Sequence, residues 1–93
     1  MCIVNVRDIL ISHANLPDAG AKFYKIIVCA ITSGDKVVAD MDGVSSLPSI
    51  FLNVSLGKII DEYDMDTLKQ HVSFSNITRS QAERLKDYLI RYN

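Results

Sequence analysis

The stretch KVVADMDGVSSLPSIFLNVSLGKIIDEY, residues 36–63, decides the fold of this chain. It begins with a short apolar run that ends in Asp40 and Asp42, and a turn containing Gly43 follows. A serine-rich loop then leads through Pro48 into a long apolar segment. Proline favours the first turn of a helix because the N–H that it lacks would have no partner there. The pattern predicts a strand, a loop and a helix N-terminus, the part of an α/β unit where ligands and partners usually bind.

Segments on both sides of this stretch have the patterns of further strands and helices. Residues 2–6 are rich in β-branched side chains, and residues 17–33 carry apolar side chains at helical spacing before Gly34, which favours a left-handed helix cap. Val72 and Phe74 alternate with serines, which is typical of a half-buried strand. We therefore expect strands at 2–6, 37–41 and 70–75 and helices at 17–33, 49–63 and 79–91.

Two further segments have patterns that fit more than one structure. The apolar run Ile9-Leu10-Ile11 either continues the first strand or forms a second short strand. Residues 64–68 form either a polar connection or a short helical turn before the last strand.

The order of the predicted elements indicates the fold class. Strands that alternate with helices predict an α/β domain, and right-handed crossovers place the helices on one face when the sheet grows in one direction. We expect a single two-layer domain over residues 1–93, with a mostly parallel sheet of three to four strands and about three helices. Three consecutive apolar residues place the 37–41 strand near the centre of the sheet.

Charge and composition argue against several classes of partner and site. The formal net charge is −1 and neither sign is concentrated, which argues against nucleic-acid binding and against a basic membrane-binding face. No apolar run approaches the ~20 residues that cross a bilayer and no signal peptide is visible, so we expect a cytoplasmic protein. Cys2 and Cys29 lie in apolar segments and are expected to be buried, reduced thiols. His13 and His71 lack ligand-like neighbours, so no metal or other cofactor is expected.

One motif resembles that of a phosphatase. The sequence DMDGV, residues 40–44, resembles the first motif of the haloacid-dehalogenase phosphatases, and Ser75-Asn76 after a later strand is similar to the second. The resemblance implies that Asp40 is a nucleophile and Asp42 an acid/base, and that both help to hold Mg²⁺. We treat this phosphatase only as an alternative and not as the main interpretation. The reason is that no later pair of strand-end carboxylates follows to complete a Mg²⁺ site.

A second pattern covers more of the chain. An apolar strand ends in Asp40, a Gly-Val turn follows at 43–44, and a small-residue loop leads to Ser49 at the start of the next helix. This order resembles the STAS superfamily, named for sulfate transporters and anti-sigma-factor antagonists, and is closest to its compact bacterial STAS-like domain of unknown function. The resemblance extends from about residue 37 to residue 92. Its residues are Asp40, Met41, Asp42, Gly43, Val44, Ser45, Ser46, Ser49, Phe51, Gly57 and Asn76.

This resemblance implies a function in protein binding. In the anti-sigma-factor antagonists a partner kinase phosphorylates the helix-start serine, and the added charge breaks the complex; Ser49 stands at that place. We expect a non-enzymatic regulatory domain that binds a regulatory ATPase, a kinase or an anti-sigma-like protein, and neither nucleic acid nor membrane. The expected contact surface consists of Asp42, Gly43, Val44, Ser45, Ser46, Pro48, Ser49, Leu52 and Asn53.

Two alternatives to this switch use the same residues. Ser46 and Ser49 are also suited to capping the free amides at a helix start, without any regulatory role. Apolar residues cover more than one face of the 49–63 helix, so a homo-oligomeric structural subunit, such as a homodimer, is a further hypothesis.

Overall fold

The computed structural model describes residues 2–13, 15–44 and 47–92. Within them, three strands form one parallel sheet in the order β1-β2-β3. Val4 of β1 lies opposite Ala39 of β2, and Ala39 lies opposite Phe74 of β3, so β2 is central as predicted. The strands are Cys2–Asn5 (β1), Val37–Asp40 (β2) and Val72–Ser75 (β3).

Five helices in the described residues connect and cover these strands, whereas the sequence predicted about three. The third, α3, runs over residues 49–62 as three consecutive segments, of which the middle one is π-helical. The buried Ser55 hydroxyl donates to the carbonyl oxygen of Phe51 at 2.7 Å inside this helix. The helices are Val6–Ser12 (α1), Leu16–Ser33 (α2), Ser49–Leu52 with Asn53–Gly57 and Lys58–Glu62 (α3), Met65–His71 (α4) and Arg79–Tyr92 (α5).

The first additional helix, α1, replaces the strand predicted for residues 9–11. Asn5 caps it, because the Asn5 Oδ1 accepts a hydrogen bond from the backbone N–H of Asp8 at 3.1 Å. Val6 and Ile9 are buried three positions apart, whereas Ile11 is 73% exposed. The prediction of a strand was wrong because β-branched side chains favour strands only weakly. Here a helix cap and burial at helical spacing override that preference.

The second additional helix, α4, occupies the segment predicted as a polar connection or helical turn. The Asp64 carboxylate caps it by accepting a hydrogen bond from the backbone N–H of Thr67 at 2.6 Å. Hydrogen bonds from the side chain and the backbone of Thr67 lower the pKa of Asp64. Leu68 of α4 is buried in the core, and β3 begins at Val72, two residues later than predicted.

The helices cover one face of the sheet and leave the other open. Val4, Val37 and Ala39 point into the core and are at most 7% exposed. Ile3 is 69% exposed on the opposite face, and Ser73 is also exposed there. The chain is therefore a two-layer α/β domain with one sheet and one layer of helices, as predicted.

Within the helical layer, α2 and α3 are in close contact. The rings of Phe23 and Phe51 stack with centroids 5.7 Å apart and planes 7° apart. Gly20 lies against Val54, where a Cβ on Gly20 would overlap the Val54 Cγ2 atom and lie 3.0 Å from the Phe51 carbonyl oxygen. The two helices approach each other this closely because position 20 has no side chain.

The two cysteines lie at the surface, which corrects the prediction that they are buried. Cys2 begins the edge strand β1, and Cys29 lies on the outer side of α2. Both are free thiols. An apolar neighbourhood in sequence did not imply burial. Cys29 falls on the solvent side of α2, and Cys2, although it pairs with the buried Val37, begins an edge strand and stays exposed.

Candidate functional site

Asp40 ties together the loops that leave the carboxyl ends of β2 and β3. Its Oδ1 accepts hydrogen bonds from the Asn76 side-chain amide and from the backbone N–H of Asp42, each at 3.0 Å. The Asn76 bond, then the Asp42 bond and the charge of Arg7 lower the pKa of Asp40. Asn76 adopts a φ of 52°, a left-handed conformation that asparagine tolerates better than most residues. Asp40 is thus an ionised carboxylate that fixes the start of both loops.

The turn after β2 presents two exposed residues between two buried ones. The Val44 N–H donates to the Met41 carbonyl at 3.0 Å, and Gly43 has a φ of 80°, which favours glycine. Met41 and Val44 are 1% and 8% exposed, so their side chains anchor the turn in the core. Asp42 and Gly43 are left at the surface on a fixed base.

The last helix holds the loop between this turn and α3. The Gln81 side-chain amide donates to the Val44 carbonyl, and the Arg84 Nε donates to the Leu47 carbonyl at 2.8 Å. Gln81 and Thr78 also bond reciprocally, at 3.1 Å each way, in the capping-box pattern that the sequence contains. Gln81 is 6% exposed, so the start of α5 packs closely on Val44 and Leu47.

Ser49 lies in the first turn of α3 and faces α5. Pro48 is the N-cap residue and supplies no side-chain bond, while the exposed Ser49 hydroxyl accepts a hydrogen bond from the Arg84 Nη2 at 3.1 Å. Ser49 also lines an open cleft of about 460 Å³ together with Arg84 and Arg91 of α5. The described bonds therefore give Ser49 a role in joining α3 to α5 rather than in capping α3.

A family model described as a STAS-like domain of unknown function (DUF4325) matches residues 19–82. The chain belongs to this STAS-like family. The match runs from α2 through the turn after β2 and the whole of α3 to the first residues of α5, so it extends further towards the N-terminus than the sequence motifs indicate. No curated protein and no solved structure gives a significant match.

Most of the partner-contact residues predicted for the STAS-like domain do reach the surface. Asp42, Gly43, Ser49 and Asn53 are exposed and Pro48 is partly exposed. Ser45 and Ser46 lie outside the described residues. Leu52 is 1% exposed and packs in the core, and the Val44 side chain is also buried, so the prediction that these two side chains contact a partner is corrected.

Residues of α5 complete the site, and the motifs around Asp40 and Ser49 did not indicate them. Arg84 is exposed on α5, and it bonds to Leu47 and Ser49. The apolar Ala82 is exposed, whereas the polar Gln81 takes the buried position. The capping-box pattern at 78–81 was the one signal that marked Gln81 as structurally engaged.

The described part of the STAS-like domain contains no group of three or more His, Cys, Asp or Glu side chains that could hold a metal ion. His13, which directly follows α1, contacts the carbonyl oxygen of Ile9 at 2.9 Å, and His71 contacts that of Thr67 at 2.8 Å. Among the described helices, none is both long enough and apolar enough to cross a membrane.

Proposed function

We propose that this STAS-like domain is a non-enzymatic regulatory module that binds another protein through one loop–helix surface. That surface consists of Asp42, Gly43, Pro48, Ser49, Ile50 and Asn53. The observation that carries the proposal is that exposed residues of the turn and of α3 sit on a base fixed by buried side chains and by the bonds of Asp40, Gln81 and Arg84. Rigid positioning of exposed groups lowers the entropy that binding would otherwise cost.

The apolar content of the loop–helix surface supports a protein partner. Ile50 is 53% exposed beside Ser49. A shallow depression of about 260 Å³ adjoins it, lined by Gly43, Pro48 and the side chain of Ile11, which is 73% exposed. Protein interfaces combine such apolar centres with a polar rim, to which Asp42 and Asn53 correspond here.

The partner is a regulatory ATPase or kinase of the anti-sigma type, and Ser49 is its phosphorylation site. The kinase transfers the γ-phosphoryl group of ATP to the Ser49 Oγ: an O–P bond forms, the bond to the leaving ADP breaks, and the hydroxyl proton passes to the kinase. The product carries about −2 charge. That charge would stand beside Ile50, where it opposes burial against an apolar partner, while Arg84 would hold it on the domain.

Variants of the loop–helix surface test this proposal. The partner is first identified by capture on the tagged domain from its own cells, and the dissociation constants of purified variants are then measured against it. Ile50→Glu and Ser49→Asp are expected to weaken binding at least tenfold, because each puts a charge into the apolar centre of the surface. Ser49→Ala and the control Lys22→Ala, at an exposed position of α2, are expected to bind as the unchanged domain does.

Thermal and urea unfolding of the same variants separates binding from folding. Ser49→Ala removes one exposed hydrogen bond and is expected to cost about 1 kcal/mol or less. Ser49→Asp is expected to fold, since a negative charge is favourable at a helix N-terminus and beside Arg84. Equal partner affinity of Ser49→Asp and Ser49→Ala would refute the switch, and unchanged binding by Ile50→Glu would refute the surface itself.

Asp40 and Asn76 belong to the two motifs that resemble those of the phosphatases, and their side chains are hydrogen-bonded to each other. A Mg²⁺-dependent phosphatase is therefore the second candidate. In the described structure the Oδ1 of Asp40 already accepts two hydrogen bonds, which give this carboxylate a structural role in holding the two loops. Purified domain with Mg²⁺ is therefore expected not to hydrolyse small phosphomonoesters such as p-nitrophenyl phosphate. Turnover that Asp40→Asn abolishes, and that the exposed-site control Asp66→Asn retains, would replace the binding module with a phosphatase.

A further inference from the structure

A groove of about 470 Å³ lies between α4 and α5, on the side of α5 away from Ser49. Phe74 of β3 forms part of its lining, Met65 and Lys69 line it from α4, and Lys86, Leu89 and Ile90 line it from α5. Phe74, Met65 and Leu89 are only partly buried, and Ile90 is 64% exposed. The helical layer therefore leaves apolar surface uncovered at the β3 edge of the sheet.

The charges on the two walls of the groove have one sign. Lys69 stands on the α4 wall and Lys86 on the α5 wall, and among the described residues no carboxylate lines the groove. The acidic groups of α5 are placed elsewhere: Glu83 pairs with Arg79 at 3.5 Å, and Asp87 lines the cleft beside Ser49. An occupant that matches these walls has apolar side chains flanked on both sides by carboxylates.

We propose that this groove docks an acidic amphipathic helix of a partner protein. The lining on α5 spans residues 82–90, which is about 12 Å at 1.5 Å per residue. That length accommodates two turns of a helix, with apolar anchors at i, i+3 or i+4 and i+7, and a third helix between α4 and α5 would complete the helical layer. Glutamates beside the anchors would meet Lys69 and Lys86.

The chain's own acidic segment fits the groove less well than such a helix does. Residues 61–64 combine three carboxylates with Tyr63, which is 40% exposed. Asp61 and Glu62 already accept hydrogen bonds from Tyr92 and Tyr24, however. The carboxylates that a second copy could present to the lysines thus already have partners within their own domain, so a separate partner is favoured. The groove and the loop–helix surface lie on different sides of α5, and this inference does not depend on the proposed function.

A labelled synthetic peptide tests the proposal directly. The probe is a helical 16-residue peptide with Leu at positions i, i+3 and i+7 and Glu on both flanks, and its control carries Lys in place of every Glu. Fluorescence anisotropy is expected to show saturable binding of the acidic peptide and at least tenfold weaker binding of the basic one. Amide chemical-shift changes are expected at residues 65, 69, 74, 86, 89 and 90. Failure to saturate, equal affinity for both peptides, or shifts centred elsewhere would overturn the proposal.

Charge reversal of the groove supplies the complementary measurement. The double variant Lys69→Glu/Lys86→Glu is expected to bind the acidic peptide at least tenfold more weakly than the unchanged domain does. The control Lys25→Glu, at an exposed position of α2, is expected to bind it as tightly as the unchanged domain. All three lysines are exposed, and a thermal melt verifies folding. If the double variant does not fold, the comparison of the two peptides on the unchanged domain still decides.

Two outcomes would assign the groove to another occupant and overturn the proposal. One is self-association of the domain that Ile90→Glu abolishes, and the other is binding to phosphatidylglycerol vesicles without binding to the peptide.

Discussion

Phe51→Ala is expected to lower the free energy of unfolding by about 3–5 kcal/mol. Phe51 is 1% exposed, stacks on Phe23 and belongs to the first segment of α3, so its removal leaves a cavity between α2 and α3. A domain of this size has a total stability of roughly 5–14 kcal/mol, at about 0.05–0.15 kcal/mol per residue. The loss therefore consumes a large share of the total, and urea unfolding followed by circular dichroism measures it.

The neighbouring residue provides a matched control. Ile50→Ala removes an apolar side chain of similar chemistry from the same helical turn, but Ile50 is 53% exposed. Its expected cost is about 0.5 kcal/mol, as for surface substitutions in general. Equal losses for Phe51→Ala and Ile50→Ala would show that α3 does not pack on α2 through Phe51.

Gly20→Ala is expected to destabilise the domain by about 1–3 kcal/mol, the range for overpacked cores. Inside a helix this substitution normally stabilises, by about 1 kcal/mol, because alanine has the higher helix propensity. Here the new Cβ would overlap the Val54 side chain and press on the Phe51 carbonyl, so α2 and α3 would have to separate. The sign of the measured change thus distinguishes close helix packing from propensity.

The adjacent position calibrates the propensity contribution. Ala21 is exposed in the same helix, and Ala21→Gly is expected to cost about 1 kcal/mol from propensity alone. Stabilisation by Gly20→Ala of similar size would contradict the packing of α2 on α3. A melting temperature and a urea midpoint for each variant are sufficient to decide.

The sequence predicted the elements whose signals are local and strong. The apolar run before Asp40 predicted the central strand, and the stripe of α2 with Gly34 at its end predicted a helix whose observed bounds differ by one residue at its start. The motif around Asp40 and Gly43 predicted the STAS-like family. In each case neighbouring residues contain both the apolar pattern and the residue that ends the element.

Elements that depend on tertiary packing were not predictable in this way. The helix α1 is only seven residues long, and its apolar, partly β-branched sequence suits a strand equally well until the Asn5 cap and the burial of Val6 are known. The π-helical segment at 53–57 leaves no signal in composition or spacing. Both depend on what the rest of the chain places beside them.

The sequence predicted only the part of the candidate site that lies on the turn after β2 and on α3. Sequence motifs located Asp42, Gly43 and Ser49, but Gln81 and Arg84 reach the loop from α5, 35 to 37 positions away in the chain. The spacing of apolar residues indicates which face of a helix is buried. It could not show that a buried glutamine and an arginine, rather than Ala82, face the loop.

The parallel sheet also determines how the chain must fold. Cys2 pairs with Val37 and Val37 pairs with Val72, so each strand pairing joins residues 35 positions apart, and neither can start as a local hairpin. The loop-closure entropy of each pairing has to be overcome before its contacts form, which slows folding relative to helical domains of the same length. The 18-residue helix α2, whose contacts are local, can form before either pairing is complete. We therefore expect refolding on a time scale of milliseconds or longer.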